Sequence, residues 1–536
     1  MSQEKLATAE LSASHGEVPW SYVLCTGWFA LFFVYFSYIP LWHTDIWGHV
    51  AYGQWMIDHG RLPDVDPFVD LAQATPLVAT AWLSQLLFGA LERSGGPERL
   101  SCAFAVVSVS TYLMLTLLFY LQTRRLGLAV FGSILAWLAG WDRHLVIRPE
   151  LLGYFLLAAL LALLSAARLL GYSRQKPSPV TAIVSPERKW WIRCTVGLLF
   201  SLWVNLHGSF AVGIVVIAIL VAGELFDCVR QNRSIVQLKN APVFRELLTL
   251  LAIATVATLV NPYGYQLPLH VLAFGSHPNM ASISEWLPPE LFGATSVAVF
   301  VVSVVFLVTL PLRNRRPATA EWLLILVFTV AVCLRTRMVT WYAPIAVLSL
   351  LPVLRDLMSR VDNKPWLQRL HAVLNGKSRV QAALLVLLVW LAFSFTPISQ
   401  PVLGGRPRPP EKLFKDDTPL GITMYLRKAA PQGRVANPQW WGDWLAWAGP
   451  RQMKLMMTTN SLHLVPSVHY ENHRAICWGH PGIKQRLDDY NVQTIVVDTS
   501  LQIELSQYVR KSDDWIIDYE DSQGLVASRK ITTNGK

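Results

Sequence analysis

The residues best suited to chemistry form one short run, His43-Thr44-Asp45-Ile46-Trp47-Gly48-His49, where the first apolar stretch of the chain ends. It brings one carboxylic acid and two imidazoles together, the groups that take protons from hydroxyls in general-base catalysis. A helix starting at Ile46 puts Asp45 and His49 one turn apart on one face. Ionisable groups at the edge of hydrocarbon are costly, and their default reading is a functional site. Further acids, amides, imidazoles and guanidiniums stand at Asp64, Asp66, Asp142-Arg143-His144, Arg148-Pro149-Glu150, Asn205, His207, Tyr263, Glu285-Trp286, Arg335 and Arg337.

The elements that must position these residues are apolar helices. The 536 residues are 53% apolar and only 15% charged, with 22 Trp; a soluble chain carries about 25% charge. Eleven segments approach the length of a membrane span: 21–41, 100–121, 127–141, 151–171, 192–206, 209–228, 246–260, 294–312, 320–336, 340–354 and 380–397. The first follows a short polar tail, residues 1–20, with no signal-type cleavage site, so it is expected to remain as a helix. With the N-terminus inside, the loops placed inside hold 22 Lys and Arg against seven outside, as the positive-inside rule requires. The net charge of +11 is therefore a topology signal, and no nucleic-acid partner is read into it.

This topology puts the polar motifs on the extracytoplasmic side, including the loop 42–99 with two amphipathic stretches, Ile46–His59 and Trp82–Glu92. Both read as helices lying in the interface. Trp203-Val204-Asn205-Leu206-His207-Gly208 interrupts a long apolar stretch and reads as a hairpin. A Pro-rich linker, 398–412, leads to a small extracytoplasmic α/β domain, 413–536, of a size that can fold alone. Within it a buried strand is expected near 493–498, flanked by helices near 482–490 and 501–511, with a closing strand at 524–530. The six cysteines make no disulfide framework and no metal-site spacing. An active surface facing away from the cytoplasm disfavours nucleotide-dependent chemistry.

Each motif also has a structural reading. Asp45 is a natural helix N-cap, and His43 and His49 suit an interface. Asp64-Val65-Asp66-Pro67 suits a turn. Asn261-Pro262-Tyr263-Gly264 stops a helix, and arginines at helix ends snorkel.

Asp45-Ile46-Trp47-Gly48-His49, with Gly53-Gln54-Trp55 and His59-Gly60-Arg61-Leu62-Pro63-Asp64-Val65-Asp66-Pro67-Phe68, resembles bacterial membrane proteins of the GT-C glycosyltransferase superfamily, described as similar to polyprenyl- or dolichyl-phosphate-mannose-dependent mannosyltransferases. Trp82-Leu83-Ser84, Arg148-Pro149-Glu150, Trp203 to Gly208, Asn261 to Gly264, Ile283-Ser284-Glu285-Trp286, the Arg335/Arg337 pair, Gly433-Arg434-Val435 and Trp441-Gly442-Asp443-Trp444-Leu445 carry it along most of the chain.

The resemblance implies an α-helical polytopic membrane protein of about eleven spans. It implies transfer of a sugar from a polyprenyl-phosphate donor, at the outer surface among membrane lipids, to a glycan, lipid or protein acceptor. It makes Asp45 the base or positioning acid, helped by His49. Arg148, Arg335 and Arg337 become phosphate ligands, and Asp64 and Asp66 become positioning acids or ligands of a divalent cation. Asn205, His207, Tyr263, Glu285 and Trp286 complete the candidates. Three positions depart from the family pattern: Gly48 where relatives carry a second Trp, Ala81 where they carry an acid, and Met457-Thr458-Thr459-Asn460 in place of an acidic-Gly-Arg segment. Two other readings use the same scaffold: a non-enzymatic protein that binds lipid-linked glycans or assists envelope assembly, and a transporter. A transporter predicts polar groups at the midplane and related halves, and the sequence shows neither clearly.

Overall fold

The computed structural model describes residues 17–141, 143, 145–170, 186–231, 237, 241–312 and 317–530. Most of the 1–20 tail, Asp142, His144 and the inside-loop residues Arg174, Lys176, Arg233, Lys239, Arg313, Arg315 and Arg316 lie outside them.

A helix covers every segment with span-like apolarity: α1 (Trp20–Tyr38), α4 (Pro97–Thr123), α5 (Leu126–Ala139), α6 (Glu150–Ala166), α7 (Pro186–Leu206), α8 (Phe210–Arg230), α9 (Pro242–Ala257), α11 (Ala294–Thr309), α12 (Thr319–Leu334), α13 (Val339–Val361) and α15 (Arg379–Ser394). Between them lie α2 (Ile46–His59), α3 (Trp82–Gly95), α10 (Gln266–Phe274) and α14 (Pro365–Asn375). Among the described residues five helices are long and apolar enough to cross a membrane, and α15 makes a sixth if joined to Pro397–Leu403 across an 83° bend. The others fall short by length or polarity; α5, α6, α9 and α12 have 14, 17, 16 and 16 residues. Large apolar side chains such as Leu31, Leu198, Phe300 and Val386 stand exposed on these helices, as a lipid-facing surface requires.

At the centre of the bundle α4 buries Tyr112, Leu115, Leu118 and Phe119 against α1, α5, α6 and α13. In the first loop α2 crosses α3 at Gly53 and Gly89, where the two backbones touch. A Cβ at Gly53 would run into the Gln85 carbonyl, so only glycine allows this approach.

The tail, from 413 onward, holds α16 (Leu420–Ala429), β1 (Arg434–Ala436), α17 (Gln439–Ala448), β2 (Lys454–Leu455), α18 (Ser467–Cys477), α19 (Ile483–Asp489), β3 (Val492–Asp498), α20 (Ile503–Lys511), β4 (Trp515–Glu520) and β5 (Gly524–Arg529). Its sheet runs β2-β1-β3-β5-β4, with β1 parallel to β2 and β3, and β5 antiparallel to both β3 and β4. The closing strand expected at 524–530 is present as β5, and it inserts between β3 and β4. A hairpin with β4 allows this, because antiparallel neighbours need only a tight turn.

The tail is bound to the first loop along its length. Leu41 N–H donates to Leu413 O at 2.8 Å and Lys415 N–H to Leu41 O at 3.0 Å. Val69 pairs with Leu455 at the β2 edge, and the Arg434 guanidinium grips both oxygens of Asp70. His43 meets Asp417 at 3.1 Å. The deepest contact is Trp47, fully buried, stacked on Trp447 at 4.1 Å and edge-on to Trp444 and Phe414. Truncating a buried aromatic of this kind costs about 3–5 kcal/mol. Trp47→Ala is therefore expected to loosen the tail, with faster proteolysis in the 398–412 linker than in wild type; unchanged cleavage refutes this account of the docking.

Candidate functional site

α2 starts at Ile46, which leaves Asp45 at its N-cap position, but the Asp45 side chain caps no backbone N–H. It faces Arg148 instead, with Oδ2 3.2 Å from Nε, an ion pair whose N–H is not aimed at the oxygen. Arg148 sits on the turn before α6 and also donates from Nη1 to Glu285 Oε2 at 3.0 Å. Glu285 lies on the 3-10 turn Ser284–Trp286 between α10 and α11. It also accepts from Arg143 and lies 3.6 Å from Arg337. Arg143 reaches Glu150, the first residue of α6, at 3.2 Å, and Arg337 lies 3.7 Å from the same carboxylate. Arg335 and Arg337 both stack on Trp286, at 4.8 and 4.3 Å from the ring. One Arg335 N–H is spent on Gly275 O.

Arg143 and Gly275 apart, these groups line one cavity of about 410 Å³, a volume suited to a small ligand or part of a larger one. Asp45, His49, Glu150, His207, Glu285, Trp286, Arg148, Arg335 and Arg337 share its wall with apolar residues including Val271, Phe274 and Trp341. Burial opposes the charge on Glu285, yet Arg148, Arg143 and Arg337 hold its carboxyl down to about 2. Burial works against Arg148 too, and Asp45, Glu285 and Glu150 more than offset it, so its affinity for the proton rises. Burial keeps His49 and His207 neutral, each lowered to about 4. The guanidiniums of Arg148, Arg335 and Arg337 thus share the wall with the carboxylates of Asp45, Glu150 and Glu285, while Arg143 binds Glu150 and Glu285 from behind it.

The remaining candidates lie outside that wall. Asp66 is fully buried, accepting from Tyr52 OH at 2.5 Å and from the Phe68 and Val69 amides at 2.8 and 3.0 Å. Asp64 is exposed and paired with Arg61 at 2.6 Å. With one carboxylate locked in the interior and the other in solvent, the two form no common ligand set for a cation, and they hold the turn before Val69 instead. Among the described residues no cluster of three or more His, Cys, Asp or Glu stands at metal-binding spacing. Asn205 accepts from Trp82 Nε1 at 2.7 Å, and Tyr263 OH accepts from Ala79 N–H at 3.2 Å. Both pin the first loop to the membrane helices and act behind the cavity.

The tail adds residues that the sequence reading did not select. Asn460 Nδ2 donates to the Asp45 carbonyl and to Asp443 Oδ1, both at 3.1 Å. Burial first, and then the Asp45 charge, push the Asp443 carboxyl up to about 7. This contact exists because residue 48 is glycine: a Cβ there would overlap Asn460 Nδ2 and Asp443 Oδ1. Two departures from the family pattern, Gly48 and the Met457–Asn460 segment, thus meet in space. The third, Ala81, lies on the cavity wall at the start of α3.

No protein-family model matches the chain, and no curated protein matches it in sequence. Solved structures do. The Archaeoglobus fulgidus oligosaccharyltransferase tethered to an acceptor peptide containing the NVT sequon superposes with a TM-score of 0.55 at 15% identity, over 95% of this chain and 74% of that one. Its apo form gives 0.54 at 13% identity, over 96% and 74%. The archaeal oligosaccharyltransferase AglB from the same organism, in complex with an inhibitory peptide and a dolichol-phosphate, gives 0.55 at 14%, over 95% and 74%. The chain has the GT-C fold. Its apolar helices make it an integral membrane protein, and the GT-C resemblance drawn from the first-loop motif is matched by the architecture of the whole chain.

Proposed function

We propose that this protein is a GT-C glycosyltransferase that moves a sugar from a polyprenyl-phosphate donor to an acceptor hydroxyl at the extracytoplasmic face of the cytoplasmic membrane, with inversion. In this reading the transmembrane domain spans residues 21–397 in eleven crossings, with the N-terminus inside and residues 413–536 outside. One observation carries it: Asp45 and a cluster of arginines share one cavity wall at the end of the first apolar helix. A lipid-linked sugar needs this pairing. The acceptor oxygen attacks the anomeric carbon while Asp45 takes its proton, and the bond from that carbon to the phosphate oxygen breaks on the opposite face. The electron pair leaves with the polyprenyl phosphate, whose charge Arg148, Arg335 and Arg337 neutralise through fixed donors. No acid is needed at the leaving group, because a phosphate departs as an anion. The solved oligosaccharyltransferase with bound dolichol-phosphate supports a lipid-phosphate ligand for this fold.

One observation favours a second reading, in which the protein binds lipid-linked glycans without transfer: Arg148 contacts Asp45 directly, so the carboxylate is engaged in an ion pair and not free to face an acceptor. Purified protein in lipid vesicles, given polyprenyl-phosphate sugars and a membrane extract as acceptor source, decides between them. Transfer releases free polyprenyl phosphate in step with glycosylated product. Binding of the lipid without its release across the sugars tried overturns the enzymatic reading.

A further inference from the structure

His207 stands on the turn between α7 and α8, and its ring is held by a relay with a fixed direction. Trp203 Nε1–H donates to Ser209 Oγ at 3.0 Å, and Ser209 Oγ lies 2.8 Å from His207 Nδ1. The Ser209 backbone N–H donates to the same Nδ1 at 3.1 Å, which makes that nitrogen an acceptor, so the Ser209 hydroxyl is the donor to it. A ring nitrogen that receives two donors carries no proton, so the neutral ring has its hydrogen on Nε2. His207 Nε2 makes no hydrogen bond among the described residues, and the ring lines the cavity.

His49 repeats the arrangement. Its Nδ1 receives the Gln85 side-chain amide at 3.3 Å, which leaves Nε2 as the N–H. The two rings are tied to successive residues of α3: Ser84 Oγ–H donates to Leu206 O at 2.6 Å, next to His207, and Gln85 holds His49. The charged groups that face them are Glu150 and Arg337 at His207, and Asp45 and Arg148 at His49. Burial prevails over these carboxylates and keeps both rings uncharged.

We propose that His207 and His49 form a wall of uncharged N–H donors that holds hydroxyl oxygens of a sugar, beside the arginine wall that takes the phosphate. This rests on the donor class proposed above and adds to it a division of the cavity by charge. A neutral imidazole brings one N–H and no net charge, so it neutralises no anion and is matched to the oxygens of a polyol. The lipid-linked donor presents both chemistries on one molecule, phosphate for the guanidiniums and hydroxyls for the histidines.

The test uses the full chain in nanodiscs and compares bare decaprenyl phosphate with decaprenyl phosphate carrying mannose, glucose, galactose or N-acetylglucosamine. His207→Phe is expected to weaken the best-bound sugar lipid about tenfold or more, as the loss of a buried hydrogen bond does, and to leave the bare phosphate within about twofold. His207→Gln, which keeps an N–H near the Nε2 position, recovers most of the loss, whereas Arg337→Ala weakens both lipids alike. Equal weakening of both lipids by His207→Phe, or of neither, overturns the proposal. A readout free of the lipid comes from ¹⁵N-histidine spectra, with the His207 signal identified by its absence in His207→Gln. A proton on Nδ1, or titration above pH 5.5, overturns the assignment. If wild type binds none of the lipids, the donor reading falls, and the histidine assignment is then decided by the spectra alone.

Discussion

Asp45→Asn is expected to lower the rate of sugar transfer by about 10²–10⁴-fold, the range for loss of a positioned general base. It should leave the fold and the binding of the lipid donor nearly unchanged. The substitution keeps the shape of the side chain at the start of α2, and the Asn460 bond goes to the backbone carbonyl of residue 45, which the change does not touch. Arg148 retains Glu285, so no guanidinium is stranded. The loss should appear in kcat with KM for the donor little altered, the pattern of an interaction made only in the transition state. Activity within about threefold of wild type, in a variant that binds the lipid normally, removes Asp45 from the chemistry and leaves the binding reading in possession.

Glu285→Ala should be the most destabilising single change in the site. Glu285 joins Arg143, Arg148 and Arg337, and its removal leaves three largely buried guanidiniums to share Asp45 and Glu150. Breaking a buried charge cluster from one side costs about 3–5 kcal/mol. A carboxyl held at about 2 instead of 4.5 corresponds to about 3 kcal/mol, which falls at the lower end of that range. Because the folded-state pKa is depressed, the stabilisation is fully present above the ordinary carboxylate value and is lost as pH falls through about 2. Thermal unfolding in detergent should therefore show a wild-type advantage that stays constant from pH 8 to 5 and narrows below pH 4.5. A gap that does not narrow at low pH means that Glu285 stabilises through packing and not through its charge.

Much of the architecture was open to a reader of the sequence, because it is written in local patterns. Apolar runs marked the helices, and the alternation of Trp47, Val50 and Ile57 with polar residues marked α2 with the bounds it has in the structure. The run Gln493–Asp498 marked β3. The parts that escaped depend on contacts distant in sequence. The position of β5 inside the sheet depends on β2 and β4 taking the two edges, and no residue within Gly524–Arg529 encodes that. Arg143 read as one more arginine at a helix end, since only the fold brings Glu285 to it across 142 positions. Asp64 and Asp66 look like a pair because residues two apart share a face on an extended backbone, but the chain bends at residues 64 and 65, and one carboxylate goes to solvent and the other to the core. The tail was read as a unit able to fold by itself, yet its aromatic side chains form one continuous apolar cluster with those of the first loop. Gly48 and Asn460 are separate departures in the sequence, and only the fold makes them two halves of one contact.

The bond between Asn460 and the carbonyl of residue 45 links positions 415 residues apart, which bears on how the molecule is made. Synthesis proceeds at about 5–20 residues per second, so the first loop is on the ribosome's far side for roughly 20–80 s before its partner is translated. During that interval α2 lacks the covering aromatics of α17, and the acid is without the amide that holds its backbone. The cavity is thus completed last, by the C-terminal part of the nascent chain. A ribosome that stops before residue 460 releases a product with every membrane helix and with Arg148, Arg335 and Arg337, but without a finished site.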